Sequence, residues 1–291
     1  MDASTFEAPS LKVPKALRLT AHISQKISTA LAAKLAWKWF LTPYSFKLPK
    51  RELAMMEAFE TPVFLTHSSG HRFPVYRWGS GPKVLLFAHG WSGRFSQFVS
   101  LFQYLEQSNL LQEYTVLGYN AVGHYGAEGT QCAMPIVADC IDLVAKKYGP
   151  IDLVIAHSLG SNACMYAQQK LGTPIAKQVL IAPPGSITAM VELFCGSIGF
   201  NRRVFHRIIE NLNREFTPEF DENSCPALAL TNALPTLVFH DTDDRDTPIA
   251  LGREVGQRMA HGRYIETQGL GHRRILRDAQ VHSEIAAFMK E

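Results

Sequence analysis

The sequence predicts an α/β fold with a mostly parallel sheet and helices on both of its faces. Three observations lead to this prediction. Segments with strand character alternate with segments of helical periodicity through most of the chain. The strand at Lys83–Ala88 contains an unbroken apolar run, V-L-L-F-A, which is typical of a strand buried on both faces. The chain has 291 residues, of which 46% are hydrophobic and 19% charged, so it is long and apolar enough to form a large core.

The predicted elements begin with two strands joined by a Ser-Ser-Gly turn. Strands and helices then alternate up to residue 181. The alternation stops over residues 187–234, an insertion with helical fragments and scattered aromatic residues, and resumes after it. Strands are predicted at 63–67, 72–78, 83–88, 114–119, 151–156, 178–181, 237–240 and 263–267, and helices at 94–108, 134–147, 159–170, 250–259 and 275–290.

Residues 15–41 have the pattern of an amphipathic helix. Apolar residues recur every four positions, and Lys26, Lys34 and Lys38 lie off this stripe. The simplest interpretation is a helix that lies on the body of the domain. A basic helix that rests on anionic lipid is a second interpretation, and a binding site for a partner protein is a third. The stripe consists of Leu19, Ile23, Ile27, Leu31, Leu35 and Trp39.

Charge and cysteine content narrow the function classes. Residues 1–51 contain nine Lys or Arg and two Asp or Glu, whereas the rest of the chain contains twenty and twenty-four. The body is therefore mildly acidic, which argues against nucleic acid as its partner. Five cysteines without metal-binding spacing favour free thiols in a reducing compartment. Because no signal-peptide pattern or membrane-spanning stretch is present, we expect a cytoplasmic protein.

The segment I-D-L-V-I-A-H-S-L-G-S identifies Ser158 as the candidate nucleophile. A buried strand runs directly into A-H-S-L-G and then into a helix, which is the pattern of a nucleophile elbow with Ala in place of the first Gly. The small residues Ala156 and Gly160 let strand and helix approach closely, and the sharp turn exposes the hydroxyl above the sheet. The alternative is a serine that only caps the helix.

The loop after strand 83–88 contains the candidates for an oxyanion hole. A tetrahedral oxyanion needs two fixed N–H donors in a site poor in water. We predict the backbone N–H groups of Leu159, which follows the candidate nucleophile, and of Trp91, which follows the flexible Gly90. We expect His89 to hold this loop in place and not to act as a base.

The candidate base is His272, which lies in a G-L-G-H segment just after strand 263–267. A flexible loop that brings one imidazole to the end of a sheet suits proton transfer from a serine. The acid that orients the imidazole is one of the aspartates after strand 237–240. The register favours Asp244, with Asp246 and Asp243 as alternatives.

Together these segments resemble the α/β-hydrolase family. The order Ser158, Asp244, His272 is the family's order, and the H-G-W loop, the A-H-S-L-G elbow, the H-x-x-x-D-x-x-x-P segment and the C-terminal G-H match its motifs. The resemblance implies an α/β-hydrolase fold with a small helical cap inserted after the sixth strand. We therefore divide the chain into a basic helical extension (1–55), which the resemblance does not explain, a core (56–186 and 235–291) and the cap (187–234).

The resemblance also implies a serine hydrolase that cleaves carboxylic esters through a Ser-His-Asp triad and an acyl-enzyme. An acyl thioesterase or an acyltransferase would use the same triad, and a non-catalytic binding protein with the same fold is the remaining alternative. No metal or organic cofactor is implied, and no feature points to a particular oligomeric state. We expect the cap to cover an apolar pocket for a small-molecule ester or thioester. Its candidate lining residues are Trp91, Met190, Phe194, Phe200 and Phe205.

Overall fold

A computed structural model describes residues 13–216 and 220–291. Its centre is one sheet of eight strands in the order β1-β2-β4-β3-β5-β6-β7-β8. Strand β2 is antiparallel to both of its neighbours, β1 and β4, and the other pairs are parallel. The strands are β1 Val63–Thr66, β2 Arg72–Trp78, β3 Lys83–Ala88, β4 Tyr114–Tyr119, β5 Leu153–His157, β6 Gln178–Ile181, β7 Thr236–Asp241 and β8 Gly262–Thr267.

Helices cover both faces of the sheet, which confirms the predicted fold class. They are α1 Lys15–Ile27, α2 Thr29–Phe40, α3 Lys50–Ala58, α4 Val99–Gln107, α5 Met134–Tyr148, α6 Leu159–Lys170, α7 Ile187–Ile198, α8 Arg202–Glu215, α9 Cys225–Ala229, α10 Ile249–Arg258, α11 Gly271–Arg274 and α12 Ala279–Lys290. Helices α5, α6, α9 and α10 contribute to the core on one face, and α3, α4 and α12 to the core on the other.

Strand β3 shows why its apolar run is unbroken. Val84, Leu86 and Ala88 lie in the core on one face, whereas Leu85 and Phe87 lie in the core on the other. Alternate side chains of a strand point to opposite faces, so a strand covered on both sides needs apolar residues at every position.

The cap lies between β6 and β7 and packs against the N-terminal helices. Its main helices, α7 and α8, form a third core together with residues of the N-terminal helices α1 and α2. Small side chains, including Ala21 and Ala32, permit this close packing. Gln25 ties α1 to the cap, since its amide donates to the Gly199 carbonyl and accepts from the Asn201 N–H, both at 2.9 Å.

The prediction of one helix over residues 15–41 is wrong in two respects. The chain breaks at Ser28, whose extended backbone and hydroxyl cap the start of α2, with the Leu31 N–H donating to the hydroxyl at 3.4 Å. The N-terminal half of the apolar stripe does not face the domain. Leu19, Ile23 and Ile27 are exposed to solvent, because α1 packs through its face of small residues instead.

Helix α3 crosses the predicted boundary at residue 55 and packs against the core. The Glu52 carboxylate is buried and accepts hydrogen bonds from Arg94 at 2.7 Å and from the Ser96 hydroxyl at 2.9 Å, and Met55 is also buried. Residues 50–55 thus belong structurally to the core and not to the extension. Their highly charged sequence, K-R-E-L-A-M, gives no apolar pattern that would have revealed this.

Within the two described ranges, no helix has the length and apolar character needed to cross a membrane. All five cysteines are buried and free. Burial raises the pKa of the Cys140 thiol to about 12, so this thiol stays protonated and unreactive at neutral pH.

Candidate active site

Ser158 sits in a strained turn between β5 and α6. Its φ of 52° and ψ of −123° lie in a region that residues with a side chain rarely adopt. The turn brings the start of α6 so close to β3 that a Cβ at Gly160 would lie 2.4 Å from the Ala88 carbonyl oxygen. The absence of a side chain at Gly160 is therefore a requirement of this packing. It places Ser158 at the carboxyl end of a central strand, where it lines a cavity.

The parallel topology gathers the predicted site residues at one edge of the sheet. Trp91 follows β3, Ser158 follows β5, Asp244 follows β7 and His272 follows β8. Because these four strands run in the same direction, their carboxyl ends open on the same crevice, which is where open α/β sheets bind ligands.

His272 is held by Asp244. The distance between His272 Nδ1 and Asp244 Oδ2 is 2.7 Å. Thr247 supports this pair, since its hydroxyl donates to Asp244 Oδ2 at 2.9 Å and its N–H donates to Asp244 Oδ1 at 2.8 Å. A carboxylate at Nδ1 places that proton on Nδ1 and leaves the Nε2 lone pair free to accept another proton.

Asp244 stays ionised although it is buried. Burial raises its pKa, but the hydrogen bond from His272, the positive charge of that ring when protonated and the Thr247 N–H together hold the pKa at about 2. The carboxylate is therefore charged throughout the neutral range.

The neighbouring aspartates have surroundings different from those of Asp244. The Asp241 carboxylate accepts hydrogen bonds from the N–H groups of Leu270 and Gly271, at 3.1 and 2.7 Å, and thus fixes the backbone of the loop that carries His272. Asp246 forms an ion pair with Arg273 at 3.2 Å, and the Asp243 side chain is exposed. The sequence analysis missed this function of Asp241, and its position at the end of β7 was the one available signal.

His157, the residue before Ser158, also contacts the His272 loop. Its Nε2 lies 2.8 Å from the His272 carbonyl oxygen, and the two rings are 4.7 Å apart between centroids. Burial, followed by the nearby charge of His272, lowers the pKa of His157 to about 3, so the ring is neutral and donates from Nε2. The sequence analysis assigned no function to this residue.

The loop after β3 is fixed by His89. The Ala121 N–H donates to His89 Nε2 at 3.0 Å, so the ring proton is on Nδ1, from which it is donated to the Gly90 carbonyl at 2.8 Å. A Cβ at Gly90 would lie 2.8 Å from the Ser158 Cβ, so only glycine lets this loop approach the elbow. Within residues 13–216 and 220–291, the backbone N–H groups of Trp91 and Leu159 have no hydrogen-bond acceptor.

The cavity over Ser158 has a volume of about 780 Å³ and mostly apolar walls. Trp91, Met190 and Phe194 line it, as predicted from the sequence. Phe200 and Phe205 do not line it. They are buried in the core that the cap shares with α1 and α2, where Phe200 lies 5.9 Å from Trp39 between ring centroids. Aromatic content alone could not separate lining residues from residues of the cap's own core.

The N-terminal helices supply part of the cavity wall, which the sequence analysis did not predict. Leu17 of α1 and Trp39 and Phe40 of α2 line the cavity together with the cap helices. The edge of the Phe40 ring packs on Phe194 with 5.3 Å between centroids. Helices α1 and α2 of the extension thus form part of the wall of the cavity over Ser158.

A serine in a strained turn and a histidine held by an aspartate, at the carboxyl ends of parallel strands, are typical of proteins of the hydrolase type. The comparisons agree with this. Residues 85–284 match the sequence model of the α/β-hydrolase family, and the chain belongs to this family. No curated protein matches the chain in sequence.

Solved structures of several hydrolases share the fold. An esterase from Exiguobacterium antarcticum is 15% identical, with a TM-score of 0.57 over 79% of this chain and 99% of the esterase. A bacterial membrane phospholipase A is 13% identical, with a TM-score of 0.59 over 82% and 89%. A meta-cleavage product hydrolase from Pseudomonas fluorescens is 13% identical, with a TM-score of 0.58 over 80% and 98%. These similarities concern the fold, and the names of the three proteins show that it serves different substrates.

Proposed function

We propose that this protein hydrolyses carboxylic esters, with Ser158 as nucleophile, His272 as general base and Asp244 as the acid that orients it. The observation that supports this most directly is the 2.7 Å contact between His272 Nδ1 and Asp244 Oδ2, beside a cavity that Ser158 also lines. In serine hydrolases this arrangement fixes the tautomer that accepts the serine proton.

The reaction proceeds in two halves. His272 Nε2 takes the Ser158 proton as Oγ attacks the ester carbonyl carbon, and the N–H groups of Leu159 and Trp91 bind the oxyanion. The tetrahedral intermediate breaks its bond to the alcohol oxygen, which leaves with the proton from His272. Water then attacks the acyl-enzyme, gives a proton to His272, and releases the carboxylic acid as Ser158 recovers its proton.

The cavity indicates the kind of acyl group. Its volume of about 780 Å³ lies in the upper part of the range for small-molecule sites, and its aromatic and aliphatic walls suit a hydrocarbon chain. We therefore expect esters of medium or long acyl chains to react better than acetates. Thioesters would react by the same steps, so hydrolysis of acyl-CoA is measured as well as hydrolysis of esters.

The test measures hydrolysis of p-nitrophenyl esters from acetate to palmitate, together with labelling by a fluorophosphonate probe. Ser158→Ala is expected to abolish both activity and labelling. Ser161→Ala is the matched control, because Ser161 lies one turn further along α6 and its hydroxyl bonds only to the Ala156 carbonyl. This variant should retain both.

Three results would separate the alternatives. If the probe labels the protein and acyl-CoA is hydrolysed but p-nitrophenyl esters are not, the substrate is a thioester and not an ester. Labelling that persists in Ser158→Ala would show that another residue is the nucleophile. If the folded wild-type protein neither reacts with the probe nor hydrolyses any ester or thioester, the alternative of a non-catalytic binding protein with this fold is favoured.

A further inference from the structure

The outer surface of α1 and the start of α2 is apolar, although it faces solvent. Leu19, Ile23, Ile27 and Leu31 are 59%, 48%, 71% and 43% exposed. The three residues of α1 are spaced four apart and so form one continuous ridge along the helix. Single exposed apolar residues are ordinary on proteins, but contiguous patches indicate a binding surface. We refer to these four residues as the outer ridge.

The orientation of the ridge is set by contacts on the other side of α1. Ala21 and Ser24 are buried against the cap. Gln25 forms two hydrogen bonds with the α7–α8 connection. Ala21 lies two positions from both Leu19 and Ile23, a rotation of roughly 200° around the helix. The ridge therefore points away from the domain because the opposite face is anchored.

Positive charge surrounds the ridge. Helices α1 and α2 contain five Lys or Arg, all of them exposed, and no Asp or Glu. In the part of the chain that the structure describes, none of the five forms an ion pair. An apolar ridge flanked by free cations complements an anionic lipid surface, in which phosphates meet the cations and acyl chains meet the ridge. The five residues are Lys15, Arg18, Lys26, Lys34 and Lys38.

The same charges argue against a second copy of this chain as the occupant. A symmetric dimer buries the same patch of both chains. It would bring the five cations of one copy against the five of the other, without a carboxylate from α1 or α2 to compensate them. Such a juxtaposition of like charges opposes association.

The ridge is close to the cavity. Leu17 of α1 lines the cavity, while its neighbour Leu19 lies on the outer ridge. A bilayer bound to the ridge would therefore lie about one helix diameter, about 10 Å, from the cavity wall. Helix α1 separates the proposed acyl site from the proposed membrane contact.

We propose that the outer ridge and its flanking cations bind the surface of anionic bilayers, and that the enzyme takes its acyl ester from there. The second half of this statement rests on the proposed function, and the first half does not. Each basic residue close to an anionic surface contributes about fivefold to affinity, so the contact depends on lipid charge and weakens with salt.

The test is co-sedimentation of the full chain with vesicles of phosphatidylcholine alone or with 30 mol% phosphatidylglycerol. The triple variant Leu19→Gln, Ile23→Gln, Ile27→Gln removes the ridge and keeps the cations. The matched control changes three exposed apolar residues on other elements, Phe64→Gln, Leu171→Gln and Leu230→Gln. We expect the wild type and the control to bind the anionic vesicles at least tenfold more strongly than the triple variant, and to bind phosphatidylcholine weakly.

Three results would overturn the proposal. The first is equal binding by the triple variant and the control, and the second is no binding by the wild type. The third is a dimer of the wild type in sedimentation velocity that the triple variant loses, since the ridge would then be covered by a second copy.

Hydrolysis of a soluble p-nitrophenyl ester separates this proposal from the proposed function. The triple variant should retain that activity and lose activity on the same acyl ester presented in anionic vesicles. Ser158→Ala should bind vesicles as the wild type does. If no ester is hydrolysed but vesicle binding still requires the ridge, the proposed membrane-binding surface is supported and the proposed function fails.

Discussion

The imidazole of His157 donates a 2.8 Å hydrogen bond to the backbone carbonyl of His272. The residue before the candidate nucleophile thus holds the residue proposed as its base. Asp244 fixes the ring of His272, Asp241 fixes the loop backbone before it, and His157 fixes its carbonyl. The three contacts leave His272 little freedom relative to Ser158, which is the preorganisation that proton transfer requires.

The first prediction concerns His157 as a positioning residue. His157→Ala should lower kcat about tenfold, the effect of one buried hydrogen bond, with KM nearly unchanged. His157→Gln retains an N–H donor and should recover most of the loss. Steady-state kinetics over pH 5–9 would measure both variants. Equal losses in Ala and Gln, or a change in KM alone, would contradict a positioning function.

The second prediction concerns stability at mildly acidic pH. Burial lowers the pKa of five histidines, including His157 to about 3 and His124 to about 4; the others are His89, His240 and His282. Between these values and the ordinary value of 6.5, the unfolded chain binds protons that the folded chain does not. The free energy of unfolding should therefore fall as pH drops below 6.5, by about 1.4 kcal/mol per pH unit for each of His157 and His124.

Urea unfolding between pH 7 and 5 tests this pH dependence. His157→Gln removes one of the titrating groups, so the slope of the free energy of unfolding against pH should decrease by about 1.4 kcal/mol per pH unit. Asp244 does not contribute to the pH dependence between pH 7 and 5. Its lowered pKa stabilises the folded state above pH 3.8, and this stabilisation is lost only as pH falls toward 2. An unchanged slope in the variant would mean that His157 is protonated in the folded state.

The third prediction distinguishes the aspartates after β7. Asp244→Asn should lower kcat by about 10³–10⁴, because the amide cannot hold the His272 tautomer or stabilise its cation. Asp243→Asn changes an exposed neighbour and should leave kcat within about threefold. Hydrolysis of p-nitrophenyl butyrate compares the two. A larger loss of kcat in Asp243→Asn than in Asp244→Asn would show that Asp244 is not the acid that orients His272.

The fourth prediction concerns packing at the elbow. Gly160→Ala would place a Cβ 2.4 Å from the Ala88 carbonyl oxygen and should destabilise the protein by about 3 kcal/mol or more. Gly196→Ala is the control, since this exposed glycine of α7 has no atom within 4 Å of the new Cβ. Helix propensity predicts that it gains up to about 1 kcal/mol. Urea denaturation measures both, and similar values for the two would refute the close approach of α6 and β3.

The fifth prediction concerns acyl-chain selection. Met190→Trp fills part of the cavity and should lower kcat/KM for a long-chain ester at least about tenfold relative to acetate. Phe205→Leu alters the cap core outside the cavity and should keep this ratio unchanged, provided the protein remains folded. A ratio that shifts equally in both variants would show that cap stability, and not cavity volume, controls chain length.

The sequence alone predicted the α/β fold and identified Ser158 and His272 as the candidate nucleophile and base. Local signals were sufficient for these. The apolar run of β3 indicates burial on both faces, and the elbow around Ser158 is a contiguous pattern with a steric cause. The order of Ser158, Asp244 and His272 could be interpreted because it is the order of the α/β-hydrolase family.

The tertiary structure decided which side chains meet across the chain. Four aspartates follow or end β7, and only their placement around the His272 loop assigns Asp244 to the ring and Asp241 to the backbone. Periodicity identified an apolar stripe in α1 but not its direction, because a helix can bury either its large apolar face or a face of small residues. The cap contacts of Ala21 turned Leu19 and Ile23 outward, and no local pattern contains the information about those contacts.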